Sequence, residues 1–258
     1  MSTFDEYSDS FETIKLIRSP EGVLEMTLHH EGGSYLWDAR SGSDTPHREL
    51  SEALQRISRD EGNRVVILTG TGESFSGPQA SPATMSRGDA NHWEPLQRHG
   101  AHMLMDMLDI PALMISCING PAYRHAELPL MADIVLAADD ALVQDSAHFP
   151  NRMVPGDGIA LLMPLLMGMN RGRYFHLTGQ VLPAGQMLEL GLVNEVLPRD
   201  QLLPRARELA DTLVHNNPLV LRYTRALFTA QLKALFRQYL DFGLALEALA
   251  AVDESASR

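Results

Sequence analysis

Between Gln144 and Gly158 the chain reads Gln144-Asp145-Ser146-Ala147-His148-Phe149-Pro150-Asn151-Arg152-Met153-Val154-Pro155-Gly156-Asp157-Gly158, which places an imidazole, His148, nine residues ahead of a carboxylate, Asp157. Two prolines and two glycines predict a loop. The apolar run over 159–169 predicts a helix directly after it, and a loop held by a rigid element is a good place to aim reactive groups. A histidine oriented by an aspartate takes a proton from water near neutral pH, and the carboxylate stabilises the imidazolium that results. A plainer reading stays open, in which Asp157 only caps the following helix and His148 is a surface-loop histidine.

Four more residues have suitable chemistry. Trp37 carries an indole N–H, a donor only, which suits a substrate carbonyl or a buried core position. His125 stands at the start of a short predicted helix. His47 follows Thr45 and Pro46, an N-cap and first-position proline that open a helix, and the dipole there favours a neutral ring. Glu247 lies in an alanine- and leucine-rich helix, where a solvated face is the default. The ten histidines include no His-x-x-x-His pair with a third ligand at metal spacing, so no metal is expected.

The elements that position these groups follow from hydrophobic patterning. Residues 14–17 and 23–30, with Pro20-Glu21-Gly22 between them, predict a hairpin. Residues 64–69, 112–118 and 133–138 predict strands apolar throughout. Helices expected over 45–60, 95–109 and 124–131 separate them, which argues for parallel pairing with helices on the faces. Beyond the His148–Asp157 loop the chain turns mostly helical, over 159–169, 171–178, 184–190 and 201–215, with a strand-like piece at 193–197. Pro218 opens a long helix to about 251. The class is therefore α/β. Residues 1–11 are expected to form a flexible tail, 12–198 a core, and 199–258 a C-terminal helical region.

Bulk properties exclude several roles. A chain of 258 residues, 45% hydrophobic, suits one large domain with a full core. A net charge of −12 repels phosphate backbones, so nucleic acid is not an expected partner. No run of eighteen apolar residues exists to span a membrane. The one cysteine, Cys117, and the polar, acidic first residues fit a reducing cytoplasm.

Several motifs line up with one family. Val65-Val66-Ile67-Leu68-Thr69-Gly70…Phe75-Ser76-Gly77, Ile118-Asn119-Gly120-Pro121-Ala122, Glu127…Met131-Ala132-Asp133, Val154-Pro155-Gly156-Asp157-Gly158 and Leu177-Thr178-Gly179…Gly191-Leu192-Val193-Asn194-Glu195-Val196 resemble the crotonase (enoyl-CoA hydratase/isomerase) superfamily. That resemblance implies a spiral of ββα turns with a C-terminal helical region that assembles trimers or dimers of trimers. The chain departs from the usual pattern at the thioester machinery. Arg124-His125-Ala126 replaces the glycine triplet whose backbone stabilises an enolate. Gly77-Pro78-Gln79-Ala80 alters the first loop, and proline has no N–H to give. Of the two hydratase glutamates, one corresponds to Glu127 and the other falls on His148.

These departures resemble the β-diketone hydrolase branch typified by 6-oxocamphor hydrolase, with similarity around Trp37, His47, His125, His148-Phe149-Pro150, Asn170-Arg171-Gly172-Arg173-Tyr174-Phe175 and Gly243-Leu244-Ala245-Leu246-Glu247. The branch implies retro-Claisen cleavage of a small-molecule diketone to a keto acid, without coenzyme A or another cofactor. In that frame His148, oriented by Asp157, activates water; His125 stabilises an oxyanion; Trp37, His47 and Glu247 bind substrate; and Glu127 persists as a hydrogen-bond acceptor. The loop from Gly72 to Trp93 is expected to set substrate choice. Two rivals are an enoyl-CoA hydratase or isomerase and a catalytically silent crotonase-like scaffold.

Overall fold

The computed structural model describes residues 3–37, 45–80 and 89–256, with the side chains of 45 and 254–256 outside that set. Strands β3 (Val65–Gly70) and β4 (Leu113–Ile118) are buried on both faces. Strands without a solvent face belong in a parallel sheet covered by helices. They run parallel to each other, with β2 (Val23–Leu28) beside β3 and β5 (Ile134–Ala138) beside β4. The hairpin strand β1 (Ile14–Arg18) closes one edge antiparallel to β2, and β8 (Glu195–Leu197) closes the other parallel to β5. Gly22 makes the β1–β2 turn at φ +95°, and a Cβ there would stand 2.5 Å from the Gly62 carbonyl oxygen.

A second layer of short segments runs beside this sheet. Leu36 bridges Gly77, Ser76 bridges Ala122, Ala122 bridges Val143, and β6 (Leu142–Val143) pairs with β7 (Leu182–Pro183). Successive turns of chain thus contribute a long strand to the main sheet and a short segment to the second layer, commonly followed by a helix. This is the expected ββα spiral. Its consequence for function is direct, because candidate residues follow the second-layer segments on different turns: Trp37 after Leu36, His125 after Ala122, and Asp145 and His148 after β6. Residues far apart in sequence are stacked into one place by the spiral.

Helices α1 (Thr45–Arg59), α2 (Ala90–Asp109), α3 (Glu127–Leu130), α4 (Ile159–Met167), α5 (Met169–Thr178), α6 (Ala184–Glu189), α7 (Arg199–Val214) and α8 (Pro218–Ala256) complete the fold. Helix α7 lies across β3, β4 and β5, and α8 packs along α2. Leu202, Ala206, Ala210 and Val214 recur every four residues on one face of α7 and join the same apolar cluster as the strands. The core is therefore continuous across the expected division at 198. Each aliphatic side chain it fully buries contributes roughly 1.5–3 kcal/mol relative to exposure.

Three expectations are corrected. Residues 3–11 are not a free tail: Phe4–Glu6 form a turn of 3₁₀ helix, and Tyr7 is wholly buried with its hydroxyl donating to Asp60 at 2.9 Å. Helix α2 begins at Ala90 rather than 95, because the Asp89 carboxylate accepts from the Asn91 and His92 N–H groups as an N-cap. The helix α3 spans only Glu127–Leu130. Residues 81–88 of the loop expected to set substrate choice, and the side chain of the expected N-cap Thr45, lie outside the described residues.

Candidate active site

The 145–158 loop leaves β6 and folds back under α8. Gly156 permits this. A Cβ on it would stand 2.4 Å from the Gly243 carbonyl oxygen and 2.7 Å from Glu247 Oε2, and a Cβ on Gly243 would meet the Gly156 carbonyl oxygen at 2.7 Å. Two glycines thus let loop and helix touch backbone to backbone, which carries Glu247 to the loop's reactive side chains. His148 Nε2 stands 3.5 Å from Asp157 Oδ2 and 3.5 Å from Glu247 Oε1.

The other nitrogen of His148 is held elsewhere. Nδ1 is 2.6 Å from Asp145 Oδ1, and the second oxygen of Asp145 is 2.8 Å from Nδ1 of His176 on α5. The orienting carboxylate is therefore Asp145, three residues before His148, and not Asp157 as the sequence suggests. The bond to Asp145 directs the Nε2 lone pair of neutral His148 toward Asp157 and Glu247. The capping role that stayed open for Asp157 survives weakly, as an Ile159 N–H contact of 3.5 Å to Oδ1. His148 is buried, not a surface-loop residue.

A second histidine group faces the first across Asp157. His125 Nδ1 lies 2.6 Å from Glu127 Oε1 and 3.4 Å from Asp157 Oδ2, while its Nε2 is 3.2 Å from Nε2 of His47. His125 adopts φ +50°, a left-handed conformation that costs a residue with a side chain on the order of 1–3 kcal/mol. Trp37 stacks at 4.0 Å between ring centroids on His125 and at 4.9 Å against His47. It is buried behind the two histidines and does not line the cavity, and its indole N–H has no partner among the described residues.

The cavity itself is small, with a volume of about 80 Å³. His47, His125, His148, Asp157 and Glu247, with Gln97 and Arg124, form its polar side, and Trp93, Leu96, Met103, Leu104 and Leu244 supply an apolar wall from α2 and α8. Five of the six residues singled out from sequence therefore meet at one cavity, and Trp37 backs two of them. Asp145 and His176 were not singled out. One ligand atom each of His125, Glu127 and Asp157 lies within 4.8 Å of the others. The 2.6 Å His125–Glu127 pair is a hydrogen bond, however, and ligands around a tetrahedral zinc stand roughly 3.3 Å apart on its ordinary bond lengths.

Burial and charge perturb six ionisable groups here. Burial alone lowers the pKa of His148, but Asp145, Asp157 and Glu247 outweigh it and hold the ring well above the ordinary histidine value. Burial raises Asp145, yet the two histidines on its oxygens keep it well below the usual carboxylate range. Glu127 is pushed up to about 7 by burial and then by Asp157, against the pull of His125. Glu247 is raised by burial, with His148 opposing. His125 is raised because Glu127 and Asp157 overcome its burial. His47 is strongly lowered by burial, by His125 and by Arg124, so the neutral ring expected from the helix terminus has different causes.

Comparison with known proteins agrees with this architecture. The family model described as enoyl-CoA hydratase/isomerase matches residues 21–250. Carnitinyl-CoA dehydratase of Citrobacter koseri is 29% identical over 212 residues, 81% of this chain and 77% of that protein. A solved β-diketone hydrolase from Anabaena sp. PCC 7120, bound to (S)-3-oxocyclohexyl acetic acid, is 40% identical with a TM-score of 0.90, covering 96% of this chain and 98% of its own. An enoyl-CoA hydratase/isomerase structure from Mycobacterium paratuberculosis, 24% identical with a TM-score of 0.83 over 95% of both chains, shares the fold.

Proposed function

The chain belongs to the enoyl-CoA hydratase/isomerase family, and from that footing we propose that it hydrolyses the carbon–carbon bond between the two carbonyls of a cyclic β-diketone. The observation that carries this reading is His148, with Nδ1 held by Asp145 and Nε2 between two carboxylates at the cavity. Nε2 takes a proton from water as the water oxygen bonds to one carbonyl carbon. The tetrahedral oxyanion collapses, the ring carbon–carbon bond breaks, and its electron pair becomes the enolate of the second carbonyl. The imidazolium returns its proton to the enolate carbon. Water is consumed, one carbonyl becomes a carboxylic acid and the other a ketone.

The remaining roles follow from charge. His125, backed by Glu127 and Trp37, supplies positive charge to the developing oxyanion, exchanging its contact with neutral His47 for it. Asp157 and Glu247 hold the proton on His148 between chemical steps. The apolar wall suits an uncharged, compact ring. The relative from Anabaena is a β-diketone hydrolase, which supports this reading. The names of the carnitinyl-CoA dehydratases favour a second, thioester dehydration. A panel of cyclic β-diketones beside crotonyl-CoA and carnitinyl-CoA separates the two: loss of diketone absorbance with appearance of keto acid is expected, and turnover of a thioester alone refutes the first reading.

A pH profile follows from the raised pKa of His148. A base must be unprotonated to act, so kcat is expected to rise with pH through a limb above the ordinary histidine range. Asp157→Asn removes one negative charge beside Nε2, so that limb is expected to move to lower pH as overall activity falls. A limb that stays put in this variant would show that Asp157 does not sense the titrating group.

We further propose a homotrimer or dimer of trimers working in the cytoplasm. No helix among the described residues is long and apolar enough to cross a membrane. Val220, Tyr223, Leu227 and Phe228 on α8 are each more than half exposed, an apolar stripe of the kind that marks an interface. Sedimentation of the parent protein is expected to give the mass of three or six chains, and Leu227→Glu with Phe228→Glu is expected to give single chains. A monomeric parent would contradict the assembly.

A further inference from the structure

We propose that His176 is a positioning residue for His148, acting through the carboxylate they share; this rests on the reading of His148 as the base. Asp145 offers one oxygen to each ring, at 2.6 Å to His148 and 2.8 Å to His176, both through Nδ1. All three side chains are buried, and they come from two separated segments, the loop after β6 and helix α5. The arrangement is a His–Asp–His relay whose outer member never reaches the cavity, since His176 does not line it.

A packing role alone does not account for this histidine. Its Nε2 is buried without a partner among the described residues, and leaving such an atom unsatisfied costs on the order of 1–3 kcal/mol. An aliphatic side chain at this position of α5 would avoid that cost. What histidine adds is a donor that fixes the second oxygen of Asp145. With both oxygens engaged, the carboxylate is held against turning, and its 2.6 Å contact to His148 Nδ1 keeps the reactive ring aimed. The His176 N–H also draws off part of the Asp145 charge. That tempers the stabilisation of the His148 imidazolium and leaves Nε2 a usable base.

The groups that face His148 are Asp145 on its own loop, Asp157 ahead of α4 and Glu247 on α8, with His125 beyond Asp157 and His176 beyond Asp145. Among the described residues, only His176 acts on Asp145 from behind. Removing its donor leaves the full carboxylate charge on His148, so the imidazolium gains and the acid limb of the kcat profile moves to higher pH.

The test compares His176→Phe, which keeps a ring but no donor, with His176→Asn, whose amide offers an N–H near the lost Nδ1. His176→Phe is expected to lower kcat about tenfold, as outer partners of metal-bound imidazoles do, with KM unchanged and the limb moved up; His176→Asn is expected to restore much of both. Nuclear magnetic resonance provides a readout independent of turnover. The parent is expected to show slowly exchanging imidazole N–H protons from His148 and His176 on Asp145, beside that of His125 on Glu127; His176→Phe is expected to lose the His176 proton and to shift that of His148. Parent-like kcat and limb in a folded His176→Phe protein would reduce His176 to packing. An unmoved His148 resonance in that variant would overturn the relay even if diketone turnover stands, and a moved one would uphold it even if diketones are not the substrate.

Discussion

Replacing His148 by alanine is expected to lower kcat on a β-diketone by about 10²–10⁴-fold, the range a positioned general base contributes, with little change in KM. The ring is the group at the cavity with one nitrogen fixed by a charged partner and the other turned to two carboxylates. Alanine removes the proton acceptor for water and the proton donor for the enolate carbon together. Asp145→Asn is expected to fall within the same range of about 10²–10⁴-fold, because an amide can present either an N–H or an oxygen to Nδ1 and so no longer dictates the tautomer. Circular dichroism and cavity binding of a non-hydrolysable diketone should remain parent-like in His148→Ala. Parent-like rates in either variant would remove the base from the mechanism.

The second large effect concerns stability. Arg225 on α8 is almost fully buried, with Nη1 2.7 Å from Asp133 Oδ1 and further bonds to the Ile110 and Met107 carbonyl oxygens. The other oxygen of Asp133 accepts the Met114 N–H at 2.7 Å. The guanidinium thus ties α8 to the end of α2 and to the sheet. Arg225→Met is expected to destabilise the fold by about 3–5 kcal/mol, the usual result of leaving one member of a buried ion pair uncompensated. For a chain of this size that lowers Tm by on the order of 10 °C. Adding Asp133→Asn to Arg225→Met removes the stranded charge and is expected to recover part of the loss. Thermal and urea unfolding read both. A single variant with parent stability would mean the pair is dispensable, and a double variant no better than the single would place the loss in packing rather than charge.

The fold was legible where a single physical rule dominates. Strands β3, β4 and β5 declare themselves because both faces are buried, so no charged residue interrupts them. Helix α8 announces its start with Pro218. Helix α2 starts before the expected residue 95, because the Asp89 carboxylate, six residues earlier, makes the cap. The two-residue ladder of β6 and β7 is too short for any period to register.

The site was legible in its members more than in its wiring. His148, Asp157, His125, His47 and Glu247 were all singled out, and they meet at one cavity. The missing link was Asp145. It stands in the same loop as His148, but a Pro-Gly-Asp-Gly turn draws attention to Asp157, and nothing local tells which nitrogen of a ring a carboxylate will reach. His and Asp three residues apart in a loop was the available signal. His176 carried none, because its partner comes from an element thirty-one residues away. Trp37 was expected to hold a carbonyl; its stacking behind His125 depends on how successive turns of the spiral superpose, which no window of sequence contains.

The most direct test of the account runs the reaction in heavy-oxygen water with a cyclic β-diketone and weighs the product. The parent protein is expected to yield a keto acid carrying one heavy oxygen in its carboxylate, with His148→Ala forming almost none. Intact diketone after incubation with the parent protein, or label entering a thioester product in its place, would contradict the hydrolytic carbon–carbon cleavage proposed here.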